Sequence, residues 1–221
     1  MPTTFEQAIN HNRRLIRKPL EGSVFLKPWA ANDEPITKIY TASTGLVIPS
    51  GYIDAGIIRK EDGVGWPREF ETSDEEGWGY DDPVRKDVSK DATSMSFTML
   101  ESKRLSLELT ANADYSGVKA DADGNIVLDK PRRGRSRDWR VFSLAKDGFG
   151  ADAYYFLRAL PWAQVADVEE QTWKDGEALS YKVTMTGYFD TAWGTAVREV
   201  WGGPALTVPA NVTAMGFQPN G

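Results

Sequence analysis

The stretch Thr93-Ser-Met-Ser-Phe-Thr-Met-Leu100 decides the class of fold. Thr93, Met95, Phe97 and Met99 fall on one side of an extended chain, and Ser94, Ser96 and Thr98 on the other. That is the period of two of a half-buried β-strand. The residues that follow change period. Leu105 and Leu109 are four apart, as are Glu101 and Leu105, and Lys103, Arg104 and Leu107 suit the same geometry. This spacing predicts a helix over 101–111.

Working outward, strand signals dominate. Short apolar or alternating runs at 23–26, 36–40, 51–58 and 84–89 precede the central strand. In the second of these, Ile36, Lys38 and Tyr40 share a face. Further runs follow at 139–146, 151–158, 164–173, 179–190 and 195–201. Asp123-Gly124, Asp147-Gly148 and Asp175-Gly176 are hairpin-turn signals, the first inside an expected hairpin over 118–128. About ten strands and one helix predict a mainly β fold, an antiparallel sandwich or barrel with a single flanking α-helix. Three parts are expected. An N-terminal arm, 1–20, ends at Pro19. A β domain spans 21–202. A C-terminal arm, 203–221, has no charged side chain and would gain little by floating in water.

Two segments stand apart by charge. Residues 59–82 form a long acidic loop or extended hairpin that includes Glu71, Asp74, Glu75, Glu76, Asp81 and Asp82, with Trp66, Trp78 and Tyr80 set among glycines. Loops of this length inside compact domains are usually functional. Residues 130–140 carry six bases against one acid, among them Arg132, Arg133, Arg135 and Arg137. The two segments are solvated and unrelated, or paired within the chain, or they meet across copies. In the third case the contact joins different patches and propagates into stacks or filaments, with charge setting the register.

Composition closes off much chemistry. The chain has 221 residues, no cysteine and one histidine, His11, which lies in a polar N-terminal stretch. Disulfides, thiolate metal sites, cysteine nucleophiles and multi-histidine metal sites are excluded. A serine–histidine–aspartate triad would have to use His11. No Walker A, dinucleotide-binding, nucleophile-elbow or zinc-protease motif occurs. Asp121, Asp123 and Asn125 resemble a calcium loop, but Gly124 falls at position four and no glutamate closes the motif. No cofactor is expected. The 32 acids leave a glycosidase pair formally open, although their concentration in loops needs no catalytic explanation. The chain is read as a non-enzyme. Eight tryptophans, eight tyrosines and nine phenylalanines suit a sugar-stacking platform or, more simply, a core and subunit interfaces. The net charge of −6 does not favour wrapping nucleic acid. No apolar run approaches the roughly 18 residues a membrane span needs, and no secretory leader is read at the N-terminus.

Several stretches together carry a resemblance. They are Arg17-Lys-Pro-Leu-Glu-Gly-Ser-Val-Phe-Leu26, Leu46-Val-Ile-Pro-Ser-Gly-Tyr-Ile-Asp-Ala-Gly56, Ser73-Asp-Glu-Glu-Gly-Trp-Gly-Tyr-Asp-Asp-Pro-Val-Arg-Lys-Asp87, Thr98-Met-Leu-Glu-Ser-Lys-Arg104 and Trp201-Gly-Gly-Pro204. In this order and spacing the chain resembles the major tail proteins of long-tailed phages, in particular phages of actinobacteria, over residues 13–204. The resemblance implies a tail-tube subunit of the virion, made in the bacterial host cytoplasm. Six copies would join their sheets into a ring, and stacked rings would form the conduit for genome ejection. Implied partners are other copies of the chain, a tape-measure protein, a tail terminator and a distal tail protein. Double-stranded DNA would pass through without specific binding, and no membrane is involved. Lumen-facing candidates are Ser94, Ser96 and Thr98, then Lys182, Thr184 and Thr186, and on a bulged strand Asp167, Glu169 and Glu170. For each strand, the outer surface or the helix is an equally open direction. Stacking candidates are the six named acids and four named arginines. The alternatives are a carbohydrate-binding β-sandwich adhesion module or another virion part, such as a tail terminator or capsid decoration protein.

Overall fold

The alternation at residues 93–99 becomes the inner half of one of two very long strands. The computed structural model describes residue 9, residues 11–132 and residues 135–219. In chain order the strands are β1 (Glu21–Pro28), β2 (Tyr40–Thr41), β3 (Gly45–Leu46), β4 (Ile53–Asp54), β5 (Val64–Gly65), β6 (Arg68–Glu75) and β7 (Arg85–Met99). Helix α1 (Arg104–Ala111) follows, then β8 (Trp139–Asp147), β9 (Tyr154–Val168), β10 (Tyr181–Tyr188), β11 (Arg198–Gly202) and a short helix α2 (Pro209–Ala214). Nine strands form one curled antiparallel sheet in the order β4-β1-β8-β9-β10-β7-β5, with β11 added to β9 and β6 to β7. The fold is mainly β, as the alternating pattern requires.

The sheet has two faces with different covers. Its helix face carries Val24, Leu26, Val141, Leu160, Met95, Phe97, Met99, Val183 and Met185, all buried, with Leu105 and Leu109 of α1 packed over them. Across half of the opposite face, Phe142, Leu157, Ala159 and Val200 are covered by Ile36, Ile39 and Trp193. Ile36 and Ile39 are three apart and the segment between them is not a strand. Residues 36–40 therefore depart from the expected alternation, because they pack across the sheet instead of joining it.

Arg140 pins that cover in place. Its side chain is fully buried. Nε donates to Asp33 Oδ2 at 2.8 Å, and Nη1 donates to Asp190 Oδ2 at 2.9 Å and to the Pro161 carbonyl at 2.8 Å. Nη2 donates to the Ala30 carbonyl at 2.8 Å. Burial alone would raise the Asp190 pKa. Hydrogen bonds from Trp29 and the Trp193 backbone, with the Arg140 charge, hold it below the ordinary aspartate value. A buried charge so fully partnered specifies one arrangement of the segments that meet it, and breaking it is costly.

Two strand readings are corrected by β-bulges. Residues 151–158 and 164–173 read in the sequence as two strands. They form one strand, β9, with an extra residue between Leu160 and Ala163 opposite Trp139 to Val141. The bulge accommodates Pro161, and Arg140 uses its carbonyl. Likewise 84–89 and 93–100 merge into β7. The expected hairpin at 118–128 reduces to a turn. There Asp121 Oδ1 accepts from the backbone N–H groups of Asp123 and Asn125, with no flanking strands. The helix begins three residues later than expected, at Arg104, and ends on Asn112 in the left-handed conformation. Beyond β11, the chain turns through Gly203. A Cβ there would stand 2.5 Å from the Ala153 carbonyl oxygen at a φ of +120°, so only glycine fits. Ala205 is buried behind it.

Candidate assembly interface

The acidic segment is a ribbon. β6 pairs with the outer half of β7 from Arg68↔Thr93 to Glu75↔Arg85. Every residue of β6, and residues 85–91 of β7, is exposed. Eight residues at about 3.3 Å each project the tip roughly 26 Å from the body. Ion pairs cross the ribbon. Arg68 meets Asp91 through two hydrogen bonds at 2.7 and 2.8 Å, and Lys90 meets Glu69 at 2.7 Å. These contacts hold Asp91 and Glu69 below their ordinary pKa values. The register places Phe70 and Val88 on the side that continues the helix face, and Glu69, Glu71 and Glu75 on the other. Phe70 is 53% exposed, Val88 59%, and Trp78 at the tip is fully exposed. A two-stranded ribbon is marginal in water on its own, and this one keeps Phe70 and Val88 wet among the charged pairs Arg68–Asp91 and Asp74–Lys86 of the same side.

The six acidic stacking candidates are all exposed on this ribbon or its tip: Glu71, Asp74 and Glu75 on β6, and Glu76, Asp81 and Asp82 in the turn. Of them, Asp74 approaches a base, Lys86, at 3.5 Å. The basic candidates divide. Arg132 and Arg135 are exposed, and Arg133 lies outside the described residues. Arg137 is engaged within the chain. Its Nη1 donates to the Ala113 carbonyl at 2.7 Å and to Glu108 Oε2 at 3.3 Å, and the guanidinium lies over Trp139. It ties the loop to α1, and Arg140 of the same run is buried.

The lumen candidates come together. On the opposite face, register sets Ser94 beside Thr186, Ser96 beside Thr184 and Thr98 beside Lys182. On the other side of β10, Thr186 faces Gln164 and Thr184 faces Asp167. The extra residue between Val165 and Asp167 is the expected bulge, and it brings Asp167 onto this face. Lys182 pairs with Glu169 at 2.5 Å, and Ser94 and Thr186 share a hydrogen bond of 3.0 Å. Thr98 is covered: its hydroxyl donates to Asp62 Oδ2 at 2.6 Å, so Asp62 takes its place at the surface. Glu170 is exposed just beyond β9. The result is one polar face across three strands.

No family model matches the sequence, and no curated protein matches it. Twenty-one chains of solved structures do match. One is described as a crystal structure of Hcp protein; it is 13% identical, with a TM-score of 0.30, and the match covers 83% of this chain and 99% of that one. No residue of this chain takes a role from that likeness.

A third surface had no signal in the sequence. On the helix face beyond α1, β8, β9 and β11 line up Ser143 with Arg158, Ala145 with Phe156, Arg158 with Glu199 and Phe156 with Trp201. With Trp66 and Leu20 at the sides they enclose a groove of about 650 Å³. Phe156 and Trp201 stack at 5.2 Å, and the Arg158 guanidinium lies over Trp66 at 4.7 Å. Arg158 is neutralised by Glu199 at 3.0 Å, and Glu21 at the edge by Lys146 at 3.2 Å. No helix among the described residues is long and apolar enough to cross a membrane.

Proposed function

We infer that this chain is a structural subunit that polymerises with copies of itself, as a tail-tube protein of a long-tailed phage. The observation that carries the reading is surface. A chain of 24.6 kDa folded as a compact monomer exposes about 10,000 Å²; this one exposes 15192 Å². The excess, roughly 5,000 Å², is surface that a compact fold of this size would have buried. The ribbon, exposed along all of β6 and residues 85–91 of β7, belongs to that excess.

In this reading the ribbon, with Glu71, Asp74, Glu75, Glu76, Asp81 and Asp82, is the element that reaches between stacked rings. Of the basic segment, Arg132 and Arg135 remain exposed for such a contact, and Arg137 does not. The polar face with Ser94, Ser96, Thr184, Thr186, Asp167, Glu169, Glu170 and Lys182 lines the channel, where hydroxyls and a net acidic balance let DNA pass without counter-ion release. Rings of six, a tape-measure protein in the channel before ejection, and terminator and distal tail proteins at the ends complete the reading, with the virion as its place. The test is negative-stain electron microscopy with sedimentation of the concentrated protein. Hollow tubes or stacked rings are expected, and a monomer at every concentration would overturn it.

A glycan-binding module has one observation in its favour, a groove whose lining includes Trp66 and Trp201. Sugar that protects tryptophan fluorescence from quenching would move the reading there.

A further inference from the structure

The ribbon and the groove are complementary, and one chain cannot join its own. The span 68–91 holds nine acids and four bases, a net charge of −5, yet one of its sides presents Phe70 and Val88. The groove is lined by the aromatic rings of Trp66, Phe156 and Trp201. With Arg158 and Glu21 already neutralised, its rim is left basic by Arg59 and Lys60, and Arg17 and Lys18 stand in the segment that enters it at Pro19. Arg17 itself is turned onto the Tyr154 ring at 3.6 Å, which leaves Lys18 as the exposed base of that segment. The loop first matched with the acids has less to offer, because Arg137 and Arg140 are spent inside the body.

Trp66 lines the groove, and the ribbon begins two residues later at Arg68. The ribbon therefore departs from its own groove and ends roughly 26 Å away. Folding back would break the pairing of Arg68 with Thr93. The occupant must come from elsewhere, and it must bring an acidic outline with an apolar centre.

We propose that the groove is the seat for the β6–β7 ribbon of a second copy, with Phe70 and Val88 against Trp66, Phe156 and Trp201, and the ribbon's acids along Lys18, Arg59 and Lys60. Donor and acceptor are different patches of one chain, so the contact is heterologous and repeats head to tail. Opposed charge sets its register, and desolvated aromatics supply its strength.

This rests on the self-assembly reading, and the test separates the two. The chain has no cysteine, so single cysteines report unambiguously. Val88→Cys, Leu20→Cys and Arg135→Cys each alter an exposed side chain, and circular dichroism checks that each variant folds. Mixed pairs of the full-length variants are treated with a short bis-maleimide after sedimentation has measured assembly. The expected result is a cross-linked dimer from Val88→Cys with Leu20→Cys, well above either variant alone or Val88→Cys with Arg135→Cys. Assembly with cross-linking to Arg135→Cys instead would leave polymerisation standing and overturn the groove as its seat. Assembly with no cross-link to either position would overturn the seat as well. Absence of assembly would overturn both.

Discussion

Two halves of one strand behave as different materials. From Thr93 to Met99, β7 has β10 on one side, β5 and the start of β6 on the other, and α1 above, and four of its seven side chains are buried apolar or threonine groups on the helix face. From Arg85 to Asp91 the same strand has β6 alone and water on both faces. The inner half is stabilised by burial. The outer half is held by cross-strand ion pairs between exposed groups, which contribute little. Local pairing is similar in both, so the contrast isolates what packing adds. It also identifies where a partner could act most, since a covering surface changes little for a core already closed.

The largest break is expected deep in the body. Arg140→Ala leaves Asp190 and Asp33 without their cation and should cost about 3–5 kcal/mol, which lowers Tm by roughly 10 °C or more in a thermal melt. Next comes a matched pair on one side of the sheet. Phe97→Ala should cost about 3–5 kcal/mol, whereas Phe70→Ala should stay within about 0.5 kcal/mol in the monomer while lowering the sedimenting fraction. Equal costs would mean that the ribbon is packed already. A smaller effect follows pH. Asp33 and Asp190 have folded pKa values held below their ordinary value. Their contribution is therefore complete above the unfolded pKa of about 3.9 and lost as pH falls through the lower folded value. Melts should be flat from neutral pH to about 5 and fall below about 4, and Asp190→Asn should flatten that fall. The smallest effect belongs to Arg68→Gln. Tm should not move measurably, but amide exchange along β6 should quicken in the monomer.

Much of this contrast can be read in the sequence, and the reasons it fails are physical. Thr93 to Met99 alternates because one face is buried, and the helix announces itself through Leu105 and Leu109. The ribbon is legible as acidic and extended, but the break expected near residues 90–92 is absent, because pairing with β6 carries the strand through a polar stretch. The gap expected between 158 and 164 is closed, since a bulge is invisible without its partner strand. Arg137 reads as a free base because Glu108, which claims it, lies 29 residues away. The groove is illegible for the same reason. Trp66, Phe156, Trp201 and Leu20 come from four distant segments, and only the register of β9 with β8 and β11 brings three of those segments together.

Between Arg85 and Met99 there is no glycine and no proline. The ribbon thus has no hinge. Its angle to the body is fixed by strand twist and by the one extra residue, Ser89, opposite Glu71 and Thr72. A lever so built transmits orientation as well as contact. In any array joined through the ribbon, the rotation from one copy to the next would be written into the covalent backbone, and loss of Ser89 would remove the bulge and with it the local bend and added twist that aim the tip. The pitch of the array would then be a property of one strand's geometry.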